Sequence, residues 1–144
     1  MEVSGQIAIF PAARVVLHTA QKEELPVMML IDSGATISAL PKNIAPLLGI
    51  DLTKGKLLRI FGIDGKSIRA WRHEIPVKMG SYAFRLPVAF LNSENAPRVL
   101  GREGIFDTHT VIFEEAMRQS ALLGSNTPHA RDVQKTIFTV SSDE

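Results

Sequence analysis

The sequence predicts an all-β fold carrying one or two short helices. Three features lead there: apolar runs of strand length recur along the chain, polar or Gly-containing turn signals separate them, and one stretch has clear helical spacing. Arg14–Ala20 (RVVLHTA), the polar QKEE and Leu25–Ile31 (LPVMMLI) read as a hairpin, so Asp32 stands at a strand end. In KNIAPLLG, Ile44, Leu47 and Leu48 follow i, i+3, i+4 spacing and Gly49 stands where a helix C-terminus favours glycine. Next, KLLRIFGIDGKSIRAWRHEIPVKMG supplies two β-rich arms. They predict a long hairpin from Leu57 to Val77 with its tip at Gly62–Gly65, because Asp64-Gly65 is a strong tight-turn signal. Tyr82–Leu91 alternates like a further strand, and NSENAP is a loop by composition.

RVLGREGIFDTHTVIFEE then holds an apolar pair, a glycine, a single helical turn and the strand HTVIF. HTVIFEE is expected to fold back on RQSALL as a hairpin. GSNTPHARDVQ reads as a linker, and KTIFTV as a strand or a disordered end. The expected organisation is therefore one domain over 1–123 and a C-terminal tail over 124–144.

Composition narrows the function classes. A chain of 144 residues, 45% of them apolar, can bury a core without staples but cannot hold two stacked catalytic lobes. Sixteen Lys and Arg against fifteen Asp and Glu leave a formal charge of +1, so neither nucleic acid nor a membrane surface is an expected partner. The absence of cysteine excludes disulfides, thiolate zinc sites and thiol nucleophiles. Glu2 stands where a signal peptide needs positive charge, and no nearby apolar run is long enough to span a bilayer. A soluble, cytoplasmic protein is expected.

The stretch LIDSGATISALP, residues 30–41, ends an apolar strand on a carboxylate. Asp32-Ser33-Gly34 taken alone reads as a turn, with side-chain acceptors for backbone N–H groups and a glycine that tolerates positive φ. Its apolar flanks argue instead for a partly buried carboxylate, which needs hydrogen bonds or a partner and is a candidate for acid or base chemistry.

Asp32-Ser33-Gly34-Ala35, preceded by MLI, resembles the active-site loop of aspartic proteases. Val99-Leu100-Gly101-Arg102-Glu103 is similar to the apolar-apolar-Gly-Arg segment that opens the short C-terminal helix of the retropepsin type, and a Gly-tipped hairpin lies between the two in the order a flap requires. Within this family the chain, over roughly residues 10–123, is most similar to the single-domain bacterial retropepsin-like proteins, which carry a segment like LGREGIFD. The resemblance implies a closed acid-protease barrel with a flap hairpin. It also implies a homodimer with one Asp32 from each chain, since Asp107-Thr108 is followed by His109 and Asp64-Gly65 lacks the middle hydroxyl residue.

By the same resemblance, Asp32 is the catalytic residue and a paired copy shares a proton with it, one member serving as base toward water and the other as acid toward the carbonyl. A shared proton of this kind is established behaviour of aspartic proteases as a family, and it comes to this chain only through the resemblance. Ser33, Gly34 and Ala35 support the loop: Ser33 bonds across the dimer, Gly34 permits close approach of two loops, and Ala35 leaves space beside the substrate backbone. Gly62, Ile63, Asp64 and Gly65 form the flap tip over a bound peptide, and Leu100, Gly101 and Arg102 are structural near the site. Neither a metal nor a cofactor is implied. The expected partners are a second copy of the chain and a peptide or protein substrate.

One departure stands out. Retroviral relatives carry a second aspartate after the alanine, oriented by the helix arginine; here that residue is Thr36, which leaves Arg102 to find Glu103 or a carbonyl. The four histidines, His18, His73, His109 and His129, lack ligand spacing. IDSGA lacks the Gly-x-Ser-x-Gly elbow of a serine hydrolase. Trp71 is expected to pack, and Arg69 and Arg72 to form a solvated strand edge. The expected function is an aspartic endopeptidase; the alternative is a catalytically weak retropepsin-like module for peptide binding or dimerisation.

Overall fold

A computed structural model of the chain describes residues 2–3, 6–7 and 11–142. Parts of the expected 1–123 domain, and the last two residues of the expected tail, lie outside these. The chain divides into a larger unit, Ala12–Ile105, and a smaller one made of Met1–Pro11 and Phe106–Glu144. At the start of the chain β1 (Glu2–Val3) pairs antiparallel with β2 (Gln6–Ile7).

The larger unit is built from β3 (Ala12–His18), β4 (Glu24–Ile31), β5 (Ser38–Pro41), the short helix α1 (Ile44–Leu47), β6 (Lys56–Phe61), β7 (Ser67–Met79), β8 (Tyr82–Leu91) and β9 (Val99–Leu100). Its strands form one mostly antiparallel sheet in the order β3-β4-β9-β5-β8-β7-β6. A further pairing of Val16 with Lys78 joins β3 to β7 and turns the sheet back on itself. The expected strands fall where apolar runs supply buried residues, and alternation is clearest in β4. In β4, Val27, Met29 and Ile31 are buried while Glu24, Pro26 and Met28 are exposed. The core is completed by Leu40, Leu86, Val88, Phe90, Leu100 and Ile105, of which full burial stabilises by roughly 1.5–3 kcal/mol for each large side chain.

The α1 helix ends as its sequence predicts. Gly49, at φ +71°, follows the C-cap Leu48; its N–H donates to the Pro46 carbonyl and the Ile50 N–H to that of Ala45, satisfying carbonyls the helix leaves open. The hairpin is shorter than expected. Pairs with β6 run only from Lys56↔Arg72 to Phe61↔Ser67, while on its other side β7 pairs with β8 from Ala70↔Leu91 to Met79↔Tyr82. A strand as long as β7 serves two hairpins that overlap at Ala70–Arg72, which no local pattern announces.

In the smaller unit β10 (His109–Glu114) and β11 (Gln119–Gly124) form the expected folded-back hairpin, in register from His109↔Gly124 to Glu114↔Gln119. The stretch expected as linker and then strand or disordered end is instead the helix α2, Pro128–Ser142. Local chemistry starts it: Pro128 suits the first helical position, and the Thr127 hydroxyl accepts from the Ala130 N–H at 3.3 Å.

Candidate active site

Asp32 follows the last residue of β4. Because Ile31 pairs with Leu100 in parallel register, the Asp32 N–H reaches the Leu100 carbonyl at 3.0 Å. The carboxylate turns back on its own loop, Oδ1 accepting from the Gly34 N–H at 2.9 Å, and the Ala35 N–H donates to the Asp32 carbonyl at 3.2 Å. The turn chemistry of the triplet and the partial burial argued from its flanks are thus both realised. Oδ2 has no donor among the described residues, and the exposed Ser33 hydroxyl has no partner among them. Gly34 does not take positive φ; a Cβ there would stand 3.2 Å from Asp32 Oδ1, so the glycine relieves crowding beside the carboxylate.

Three consecutive N–H groups after β9 fasten the loop. Gly101 donates to Ser38 Oγ at 3.0 Å, Arg102 to the Ala35 carbonyl at 2.8 Å, and Glu103 to the Thr36 carbonyl at 3.0 Å. Such closeness needs glycine at 101, where a Cβ would stand 2.4 Å from the Ile37 carbonyl carbon. The two motifs, far apart in sequence, therefore form one hydrogen-bonded unit. Leu100 supports it from below as a fully buried side chain.

Arg102 itself is exposed and forms no ion pair among the described residues. Glu103, a candidate partner for it, is taken by Arg72 through two short bonds, Nη1 to Oε2 at 2.7 Å and Nη2 to Oε1 at 2.6 Å. Hydrogen bonding to Arg72 holds the Glu103 carboxyl below its ordinary value, and the same bonds to Glu103 hold Arg72 above its own, burial opposing each. This corrects the reading of Arg72 as part of a solvated edge: β7 is an inner strand between β8 and β6, and β6 is the edge.

At the hairpin tip the Gly62 N–H donates to the Lys66 carbonyl at 2.9 Å, the Gly65 N–H to that of Gly62 at 3.1 Å, and the Lys66 N–H to Asp64 Oδ1 at 3.0 Å. Gly65 takes φ +78° but Gly62 does not take positive φ. Ile63 is fully exposed at the tip, and no hydrogen bond among the described residues ties Gly62–Gly65 to the Asp32 loop. Along the arms, Ile60 and Ile68 face inward with Ile37 and Ala96 onto a small core of Ala39, Ala70, Ala89 and Leu91. His73 packs edge-on to Phe90, its Nε2 3.1 Å from the Leu52 carbonyl, which can only accept; it is a satisfied structural histidine. Among the described residues no group of three or more His, Cys, Asp or Glu could hold a metal. No helix among them is long and apolar enough to cross a membrane.

The family model described as aspartyl protease matches residues 18–127, which span the loop, the hairpin and the Gly-Arg segment. The chain belongs to the aspartyl protease family. Aspartyl proteases are hydrolases, and this one carries the retropepsin-like fold. A retropepsin-like aspartic protease from Rickettsia conorii superposes with a TM-score of 0.53 at 18% identity, covering 76% of this chain and 96% of that one. The EIAV protease in complex with the inhibitor HBY-793 superposes with a TM-score of 0.50 at 18% identity, covering 69% of this chain and 88% of that one. No curated protein matches.

Two residues that build this candidate site are not evident from the sequence. Ser38 is a fully buried hydroxyl inside an apolar strand, a pattern that marks a buried polar contact without saying to what. Arg72 reads as one more surface arginine until the fold sets Glu103 beside it.

Proposed function

We propose that the protein is a homodimeric aspartic endopeptidase whose catalytic dyad is Asp32 from each of two chains. The observation that carries this is the Asp32 loop: a carboxylate fixed at its backbone and at Oδ1, with Oδ2 and the neighbouring Ser33 hydroxyl left without partners among the described residues. A lone chain holds only one such group, and a second copy supplies the other. Two apposed carboxylates share one proton because both cannot ionise cheaply side by side.

The ionised member takes a proton from a water whose oxygen bonds to the scissile carbonyl carbon, while the protonated member gives its proton to the carbonyl oxygen. The tetrahedral intermediate then collapses as the C–N bond breaks, a proton passes to the leaving nitrogen, and the dyad returns to sharing one proton. An extended peptide lies between the Asp32 loop and the hairpin tip, held largely by main-chain hydrogen bonds, with Gly62, Ile63, Asp64 and Gly65 closing over it to exclude water. Ser33 bonds to the partner's loop, and Ala35 borders the substrate backbone.

The test is incubation with a diverse peptide pool from acidic to neutral pH. Wild type should cleave and Asp32→Asn should not, while remaining folded and dimeric by sedimentation. Normal cleavage by Asp32→Asn would end the peptidase reading. Peptide binding without cleavage by wild type would favour the alternative, a retropepsin-like binding or dimerisation module.

A further inference from the structure

The Arg72–Glu103 pair joins β7 to the segment that follows β9. Arg72 stands on β7 opposite Lys56 of β6 and Ala89 of β8, and Glu103 stands in the turn that follows β9. Around the pair, Glu74 comes to 4.0 Å from Arg72 Nη2, a much weaker contact than the two bonds to Glu103. Immediately behind the Glu103 carboxylate, its own N–H and that of Arg102 hold the carbonyls of Thr36 and Ala35. A chain of contacts thus runs from β7 through Arg72, Glu103 and two backbone hydrogen bonds into the Asp32 loop.

We infer that Arg72 and Glu103 are positioning residues, whose ion pair fixes the Ala35–Thr36 backbone where an extended substrate lies against it. This rests on the peptidase reading above. Thr36 offers the loop no carboxylate of its own, and Glu103 supplies one from outside it. The bidentate fork matters because two parallel bonds fix orientation as well as distance, which a lysine cannot do. Asp32 keeps two anchors besides its bond from the Ala35 N–H, the Leu100 carbonyl and the Gly34 N–H, so loosening the pair disturbs substrate binding more than the chemical step.

The experiment compares Arg72→Lys and Glu103→Gln with wild type by amide hydrogen exchange and by peptide-cleavage kinetics. Both side chains are partly exposed, so both variants should fold. The amides of Arg102 and Glu103 should lose protection while those of β4 and β8 keep theirs, KM should rise roughly ten-fold, and kcat should stay within about three-fold. Unchanged protection at these amides would overturn the inference, whatever the activity. So would lost protection with unchanged KM, or a loss confined to kcat. A wild-type protein that cleaves nothing would sink the peptidase reading instead, with exchange still deciding whether the pair holds the loop.

Discussion

Gly101 lies against Ile37 so closely that a Cβ at 101 would stand 2.4 Å from the Ile37 carbonyl carbon and 2.5 Å from its oxygen. Both atoms are backbone, held by β5 and by the hydrogen bonds that follow β9, so neither can swing aside. Gly101→Ala should therefore force the loop and β9 apart and destabilise the protein by about 1–3 kcal/mol, the range for overpacking a rigid interior. Urea unfolding at neutral pH measures this directly. A variant as stable as wild type would mean the loop and the Gly-Arg segment are not tightly joined.

Ser38→Ala tests the same junction from the other side. It removes the acceptor of the Gly101 N–H, at a position where both residues are buried. An unsatisfied buried donor costs about 1–3 kcal/mol, and the unfolding midpoint should fall accordingly with the m-value unchanged.

Much of this architecture is legible in the sequence. The β8 strand follows from alternation, β4 from an apolar run behind a polar turn, and Asp32 with Leu100 and Gly101 from motif order, while the fold-back of HTVIFEE on RQSALL is expected as a hairpin, because such signals are local in sequence. What stays hidden depends on partners distant in sequence. Arg72 gains Glu103 only through the sheet order, β7 divides its pairing between β6 and β8, and Ser38 bonds across to Gly101. The α2 helix is obscured for a different reason: polar GSNTPHARDVQ outweighs the Thr-Pro start signal.

The hairpin tip separates two glycines that look equivalent in GIDG. Gly65 needs φ +78°, so Gly65→Val should cost about 1–2 kcal/mol and lower kcat/KM by hindering closure. Gly62→Val has no such φ to oppose it, and the nearest atom to its added Cβ is Asp64 Oδ1 at 3.0 Å, the end of a side chain, so it should be the milder change. Parallel stability and kinetic measurements on the two variants decide this. Equal effects would remove the role given to backbone conformation at the tip.

Acid should weaken the Arg72–Glu103 pair in a defined direction. Hydrogen bonding to Arg72 holds Glu103 below its ordinary 4.5, so the unfolded chain takes up this proton before the folded one does. The pair's stabilisation is complete above that ordinary value and is lost as pH falls through the folded one. Arg72 is raised and stays charged throughout, so it adds no titration there. Glu103→Gln should be less stable than wild type near neutrality and should converge with it in acid. Asp51, also held low by the Thr53 hydroxyl and N–H, titrates in both proteins and cancels from the comparison. Denaturant unfolding from strongly acidic to neutral pH reads the convergence, with the difference kept small by the exposure of both side chains.

The shared dyad is tested most directly by mixing subunits. Wild type and Asp32→Asn are combined at fixed total concentration, allowed to exchange, and assayed on one peptide substrate. If each site needs an Asp32 from both chains, activity should fall as the square of the wild-type fraction, because mixed dimers hold one carboxylate and cannot share a proton. A fall strictly proportional to the wild-type fraction would show that each chain works alone and would contradict the account.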